Sequence, residues 1–502
     1  MPTTVILGAG IIGLATAHSL AELAPPDHRI HLVDPAPELF ASASGKAAGF
    51  LAKDWFAPAI APLGNLSFDL HRALAHRHNG RARWAYSESI SYSLDRDFDD
   101  DSDDPDLDPG LASGSDRGGD AESPEEQRAS GEPEDVHISG RNGSQGQGGL
   151  DWLRQNTSRA SVLEGDLEKA HSDGGTSVDE TDELPKWLRA KPDALQMISD
   201  RKSTAQLYVV SRTLCEFLLA QCLAAGVTLH QPARATKLWL DEDHPGSLTR
   251  IRVEYLGLLA KTIDGRARTV DIPCDNVVIA AGCWTPQVYT SLFPNASRIP
   301  RITHLAGYSV TFKAKHWPPA VPTPKADPQA PQAPSNPSLP LPRGQDSQVY
   351  LGASPTHAIF TGAHGFSPEI FSRVAGDVWL GGLNPATAAL PALPTDAQVA
   401  PAEVAKLLAV ARSLCGEDIE LRSQALCFRP VSATGRPIIS RMHVADLGDG
   451  VKPRGHDGAG GVFIATGHGP WGIALSLGTG RVVSEMVLGR ATSADVSALT
   501  RW

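Results

Sequence analysis

A glycine-rich segment near the start of the chain has the spacing of a dinucleotide-binding turn. Residues 8–13 read GAGIIG, follow the apolar run Thr4–Leu7 and precede Leu14–Leu23, which has helical character. In such a turn the first glycine permits the tight bend, the second lets a pyrophosphate approach the backbone, and the third lets helix pack on strand. The helix N-terminus would present free N–H groups and a positive dipole end to the phosphates.

A carboxylate stands at the position that this motif needs. Asp34 closes the predicted second strand, Ile30–Val33, and follows Gly13 by about twenty residues, the usual distance to a group that accepts hydrogen bonds from the adenosine ribose. Strand, turn, helix and acidic strand end together predict a dinucleotide site rather than a glycine-rich turn in an unrelated fold. The residues assigned to the dinucleotide are Gly8, Gly10, Ile11, Ile12, Gly13 and Asp34.

Four further segments combine glycine, serine or apolar residues in ways that suit a cofactor site. They are residues 42–51 (SASGKAAGFL), 277–285 (VVIAAGCWT), 427–439 (CFRPVSATGRPII) and 465–473 (ATGHGPWGI). A serine- and glycine-rich loop just after the acidic strand end can wrap a pyrophosphate from its other side. An apolar run closed by glycine, as at 277–282, is typical of a buried parallel strand.

In this order, the segments resemble the motifs of the D-amino-acid oxidase, sarcosine oxidase and glycine oxidase family of FAD-dependent amine oxidoreductases. The resemblance covers most of the chain outside two inserts and implies FAD rather than NAD. It implies that the adenine end is held at residues 235–237 and that the last segment meets the flavin at the head of the final helix. The further FAD contacts that it implies are Ser42, Ser44, Gly45, Lys46, Thr236, Ala281, Gly282, Cys427, Gly467, His468, Gly469, Gly472 and Ile473.

The resemblance names Arg429 and His468 as candidate catalytic residues. In several members the matching arginine binds the substrate carboxylate, which a planar guanidinium can do bidentately; the alternative is an arginine that bonds strand carbonyls. His468 is a candidate for proton transfer, and the alternative is that it orients the backbone and contacts the flavin. Cys427 matches a region where some members link a cysteine to the flavin, while the alternative is a small buried thiol.

Composition excludes several classes of function. The 502 residues carry a formal net charge of -12, so nucleic acid is not expected as a partner. Six cysteines without CxxC pairing predict reduced thiols and neither a zinc site nor a disulfide framework. No stretch suits a membrane span, a signal peptide or a peroxisomal signal, which predicts a cytoplasmic protein.

The motif order predicts an α/β fold with a Rossmann-type, discontinuous FAD domain and a mixed-sheet substrate domain. The FAD domain is expected at residues 1–65, 205–300 and 425–502, and the substrate domain at 66–204 and 301–424. An acidic, low-complexity insert at 95–149 and a proline-rich loop at 316–346 are expected to be disordered, because such compositions cannot bury enough apolar surface to offset chain entropy.

The resemblance implies oxidation of the C–N bond of an amino acid or secondary amine, with hydride transfer to flavin N5 and oxygen as the final acceptor. Residues 48–55 (AGFLAKDW) and 67–71 (SFDLH) resemble in particular a fungal branch of uncharacterised oxidoreductases that has been connected with endosomal sorting. The alternative function is therefore a flavin-stabilised interaction protein with little turnover, peripherally associated with endosomes. Its two inserts would then dock other proteins.

Overall fold

The computed structural model describes residues 1–94, 184–185, 187–190, 194–207, 212–241, 248–262, 265–315, 317, 356–362, 366–374, 376–385, 388–448, 451 and 461–502. The acidic insert lies outside these residues, as does the proline-rich loop except for Trp317. All described residues belong to one compact unit. The predicted α/β class, with a Rossmann-type layer and a mixed sheet, is confirmed.

Strands and helices are numbered in chain order within the described residues. The strands are β1 (Thr3–Leu7), β2 (Arg29–Val33), β3 (Phe50–Ala52), β4 (Ser87–Leu94), β5 (Leu195–Ser199), β6 (Thr204–Gln206), β7 (Thr228–His230), β8 (Ala233–Leu240), β9 (Leu248–Tyr255), β10 (Thr269–Pro273), β11 (Asn276–Ile279), β12 (Ile302–Ala314), β13 (Thr356–Thr361), β14 (Glu369–Ser372), β15 (Val378–Leu383), β16 (Ile419–Ser432), β17 (Ile438–Arg441) and β18 (Gly461–Thr466). The helices are α1 (Ile11–Leu23), α2 (Ala43–Lys46), α3 (Ala61–His78), α4 (Gly80–Trp84), α5 (Arg212–Ala224), α6 (Thr285–Leu292), α7 (Pro401–Cys415) and α8 (Ser476–Val487).

The first sheet has six strands in the order β17-β18-β11-β1-β2-β7, and all but β17 run parallel. Its strands are apolar on both sides because both faces are covered. Ile6 and Val278 face a layer that includes α1, α3, α5 and α8, whereas Val5 and Val277 face the three-stranded sheet β10-β9-β8 and α6. Gly480 of α8 packs so closely on α1 that an added Cβ would meet Ala15 at 2.4 Å.

The second sheet has nine strands and is mixed. Its order is β16-β12-β15-β14-β13-β4-β6-β3, with β5 paired to β4, and β13 and β4 are parallel. Three of its strands come wholly or partly from segments predicted for the FAD domain: β3 from 1–65, most of β6 from 205–300, and the C-terminal part of β16 from 425–502. Strand β16 pairs with β12 along its full length, and such long-range pairing has no signature in the local pattern.

Candidate cofactor and substrate site

One cavity of about 750 Å³ lies between the turn after β1 and the second sheet. Most of the residues proposed from the sequence line it. They are Gly8, Gly10, Ile11, Ile12, Asp34, Ser42, Ser44, Lys46, Ala281, Gly282, Cys427, Arg429, His468, Gly469, Gly472 and Ile473. Four other proposed residues, Gly13, Gly45, Thr236 and Gly467, do not line it.

The turn after β1 depends on the absence of side chains at two glycines. Gly8 has φ +107°, and a Cβ there would lie 2.4 Å from the carbonyl oxygen of Ala280 on the neighbouring strand. A Cβ on Gly13 would lie 1.9 Å from the carbonyl oxygen of Gly8. Gly13 therefore acts by letting α1 pack on the turn, as the motif predicts, and reaches no ligand itself.

The N-terminus of α1 forms a cradle for a phosphate. Gly10 is its N-cap, and the Ile11 N–H donates to Ser44 Oγ at 2.9 Å. A Cβ on Gly10 would lie 2.9 Å from the same oxygen. The first-turn N–H groups of a helix lack intrahelical partners and attract anions. The absence of a side chain at Gly10 thus lets Ser44 approach the N-terminus of α1 at the cavity wall.

Asp34 holds the turn in place and also reaches the cavity. Its two carboxylate oxygens accept hydrogen bonds from the N–H groups of Ala9 (2.8 Å) and Ala36 (2.9 Å). Burial raises the pKa of the Asp34 carboxyl, and these two backbone donors oppose the rise. Each carboxylate oxygen can accept a second hydrogen bond, so a ribose hydroxyl fits here.

Of the residues predicted to hold the adenine end of FAD, Thr236 does not line the cavity. Thr236 sits at an irregularity in the β8–β9 pairing, between Ala235 and Lys237, and stays outside the cavity. Arg234 and Ala235 line it instead. The irregularity shifts the register within β8, and a β-bulge of this kind is not visible in the local sequence.

The second loop contributes through its backbone and one lysine. A Cβ on Gly45 would lie 2.0 Å from the carbonyl oxygen of Phe40, so Gly45 lets the loop close on itself rather than touch a ligand. Lys46 donates to the carbonyl oxygen of Leu426 at 3.2 Å. Burial lowers the pKa of the Lys46 ammonium. Lys46 therefore ties α2 to β16 at the cavity wall.

Glycines with positive φ shape the end of the cavity near β18. Gly282 (φ +55°), Gly467 (φ +75°) and Gly469 (φ +56°) turn the chain there. Helix α8 begins only at Ser476, and a short 3-10 turn occupies Gly469–Trp471. The N–H groups at this end therefore belong largely to the loop before the helix, a correction to the sequence picture of a helix end.

His468 is suited to hydrogen bonding and not to proton transfer. Its side chain is fully enclosed, and burial lowers the pKa of the imidazole to about 3. Its Nε2 lies 3.0 Å from Thr479 Oγ1 in α8. The neutral ring thus fixes the loop before α8 against the helix, which agrees with the structural alternative for this residue.

Cys427 lies in the cavity wall of β16. It is buried and stands opposite Gly307 on β12. Burial raises the pKa of the Cys427 thiol, while the positive charges of Arg429 and Lys46 oppose the rise. All six cysteines are buried and free.

Arg429 is a cation in the part of the cavity wall that β16 forms. Its guanidinium donates to the carbonyl oxygen of Ala306 at 3.2 Å and to Asn384 Oδ1. Its Nε is buried without a hydrogen-bond partner. Among the described residues no carboxylate forms an ion pair with it. The hydrogen bond to the Ala306 carbonyl agrees with the alternative in which Arg429 bonds strand carbonyls. Ala306 and Asn384 are both uncharged partners, so they do not neutralise the guanidinium charge.

Four residues near Arg429 or in the cavity wall were not identified from the sequence. A Cβ on Gly307 would lie 2.4 Å from the Arg429 guanidinium, so this glycine makes the room for it. Asn384 accepts from the same group, and Glu369 and Trp379 line the cavity. A glycine inside a strand signals such a close approach, but nothing local marked the others.

The part of the chain that the structure describes has neither a metal-ligand cluster nor a helix suited to a membrane. No group of three or more His, Cys, Asp or Glu side chains there could hold a metal ion. No helix there is both long and apolar enough to cross a membrane.

The chain is similar in sequence to known oxidoreductases. The family model described as "FAD dependent oxidoreductase" matches residues 3–147 and 203–486. The chain is 25% identical over 551 residues to "Putative oxidoreductase TDA3" of Saccharomyces cerevisiae, covering 99% of this chain and 93% of that protein. It is 22% identical over 509 residues to a protein of the same description from Schizosaccharomyces pombe, with 99% and 96% covered.

Solved structures share the fold. Glycine oxidase from Geobacillus kaustophilus superposes with a TM-score of 0.58 at 18% identity, with 100% of both chains covered. Iminodiacetate oxidase from Chelativorans sp. BNC1 superposes with a TM-score of 0.57 at 16% identity, with 99% of this chain and 98% of that chain covered.

Proposed function

Because the chain belongs to the family of FAD-dependent oxidoreductases, we propose that it binds FAD in the cavity and oxidises the C–N bond of an amino acid or secondary amine to an imine. The proposal depends on the surroundings of Arg429. Among the described residues, its guanidinium donates hydrogen bonds only to uncharged groups. A partly buried cation of this kind is stabilised by a ligand carboxylate, which can accept two hydrogen bonds from one guanidinium. Glycine oxidase and iminodiacetate oxidase, by their names, act on compounds that join an amine to a carboxylate.

Several residues of the cavity wall fit FAD. The cradle of Gly10 and Ser44 suits the pyrophosphate, and Asp34 suits the adenosine ribose. The glycine turns at Gly282 and Gly469 leave room for the flavin ring. When bound, FAD supplies the hydride acceptor for the substrate carbon and a route for the electrons to oxygen.

The chain's own part in the reaction is orientation and charge. Arg429 fixes the substrate carboxylate and so sets the position of the adjacent C–N bond. His468, with a pKa of about 3, is neutral and does not take the amine proton. The substrate must then lose that proton before or during binding, so turnover rises with pH through the pKa of the substrate ammonium.

Anaerobic flavin reduction tests the proposal. A panel of amino acids and secondary amines is mixed with the FAD-loaded protein, and bleaching of the flavin absorption is followed. With the active compound, Arg429→Lys keeps the charge but loses the bidentate geometry. The variant should lose roughly 2–4 kcal/mol of binding, which is about a 30- to 1000-fold drop in reduction efficiency.

Arg412→Lys, at an exposed position of α7, is the matched control and should behave as wild type. If no compound of the panel bleaches the flavin, amine oxidation is excluded for that panel. If Arg429→Lys reduces at the wild-type rate with unchanged flavin content, the arginine is structural and the substrate needs no carboxylate.

A further inference from the structure

The cavity wall formed by the second sheet places a carboxylate beside an aromatic ring. Glu369 on β14 is 5% exposed and lies directly opposite Gly381 on β15. A Cβ on Gly381 would lie 2.2 Å from Cη2 of Trp379, so the indole ring occupies the space over that glycine. Because directly opposed positions on paired strands have Cβ atoms about 5 Å apart, the ring lies next to the Glu369 side chain.

The rest of the wall holds the indole ring in position. Trp379 lies opposite Phe371, and their rings stack with centroids 5.3 Å apart and an interplanar angle of 8°. Phe371 in turn stacks on Phe50, at 5.4 Å and 18°. The ring beside Glu369 is therefore the end of an ordered aromatic stack that faces the cavity.

The same face of the sheet carries Arg429. Thr311 on β12 is paired with Trp379, and Gly307, four residues earlier on that strand, points to the same side. The Arg429 guanidinium packs over Gly307. Strand β14 lies two positions from β12 in the sheet, so roughly 10 Å separate the guanidinium from the backbone of Glu369.

The two other carboxylates that line the cavity, Asp34 and Glu38, lie near the turn after β1. Asp34 accepts from the Ala9 and Ala36 N–H groups, and Glu38 pairs with Arg212. Glu369 is thus the carboxylate placed on the substrate side, across the wall from the cation.

A carboxylate next to an aromatic face is the usual protein site for an alkylammonium group, since the two contributions add. We propose that the substrate is an amino acid with a second cationic group at its far end. Arg429 takes the carboxylate, and Glu369 and Trp379 take the distal cation. The inference rests on the proposed function and specifies its substrate class.

Two unreactive ligands of the same shape measure how much the distal positive charge contributes to binding. The compound 4-(trimethylammonio)butanoate and its neutral isostere 5,5-dimethylhexanoate share shape and carboxylate, and differ in one positive charge. Each is titrated into the FAD-loaded protein, and binding is read from the perturbation of the flavin absorption without turnover. We expect the cationic ligand to bind at least about tenfold more tightly.

Three variants test which residues cause the tighter binding of the cationic ligand. Glu369→Gln keeps the size of the side chain and removes its charge, so the two ligands should bind about equally. Trp379→Phe keeps an aromatic face and should retain most of the preference. Glu417→Gln, at a position of which 80% of the side chain is exposed, is the matched control and should retain all of it.

The outcomes separate this inference from the proposed function. Equal binding of the two ligands to wild type, or a preference that survives Glu369→Gln, overturns the cationic substrate and leaves amine oxidation standing. Failure of both carboxylates to bind, with bound FAD intact, overturns the carboxylate site itself. A Glu369→Gln protein that still binds the neutral ligand at the wild-type affinity is folded, so its loss of preference supports the inference.

Discussion

The two ends of the cavity are built in different ways. At the end proposed for the cofactor, the wall is formed largely by backbone N–H groups, glycines and Asp34, in the first 50 residues and the turns after β11 and β18. At the end proposed for the substrate, it is formed by the side chains of Glu369, Trp379 and Arg429, on three different strands of the second sheet. The first end therefore depends on the absence of side chains at its glycines. The second end depends on the identity of its side chains.

This difference predicts which changes are tolerated. The glycines of the turn after β1 tolerate replacement poorly, because a Cβ on Gly8 or Gly13 meets backbone atoms and a Cβ on Gly10 meets Ser44 Oγ. A side chain of the substrate wall can be exchanged while the cofactor stays bound. Each of the following variants tests one side of this contrast, and the largest effect is expected first.

Gly10→Val should abolish FAD binding. A Cβ at this position already lies 2.9 Å from Ser44 Oγ, and a branched side chain fills the space that a pyrophosphate needs. The purified variant should be colourless, and wild type yellow. Gly362→Val is the matched control and should remain yellow, because Gly362 lacks a positive φ, as Gly10 does (φ -71°), and nothing lies within 4 Å of an added Cβ. A yellow Gly10→Val protein would contradict the cradle.

Asn384→Ala should weaken the substrate end and spare the cofactor. The change removes the side-chain acceptor that holds the Arg429 guanidinium over β12. Loss of about 1–2 kcal/mol corresponds to roughly a 5- to 30-fold higher KM, with kcat and flavin content little changed. Equal losses of flavin and of substrate affinity would show that the two ends are not independent.

Cys427→Ala tests the position where the two ends meet. The nucleophile in a flavin linkage would be the thiolate, and burial raises the pKa of this thiol. We therefore expect acid precipitation of wild type to release the flavin into the supernatant, and the variant to do the same. Cys283→Ala, a second buried thiol of the cavity wall, is the control. Yellow colour that stays in the wild-type pellet and leaves it only in Cys427→Ala would establish the covalent bond instead.

Deletion of residues 100–146 should have the smallest effect. The composition of this acidic segment predicts no core contacts, and it lies outside the described residues. The flavin absorption and the melting temperature should be almost unchanged. Loss of bound FAD on deletion would show that the segment contributes to the folded core.

The same contrast explains what the sequence could reveal. The turn after β1 is encoded in a contiguous motif, so the sequence identified Gly8, Gly10 and Asp34, which line the cavity, and the packing of Gly13 on the turn. Their roles toward FAD stay predictions. The end proposed for the substrate arises only when β14, β15, β12 and β16 come together side by side in the second sheet, and no local pattern marks Glu369 or Asn384. Thr236 does not line the cavity, and the register irregularity at its position is likewise a property of the pairing.

Strand β16 connects the two ends and thereby constrains how the protein can diverge. Cys427 and Arg429 alternate with buried neighbours on one strand of 14 residues, so both face the same side. Insertion or loss of a single residue upstream in this strand would turn both away together. Selection for new substrates is therefore expected to act on β14 and β15, where exchanges leave the register of β16 intact. Related enzymes of altered specificity should differ at the positions of Glu369 and Trp379 before they differ in the length of β16.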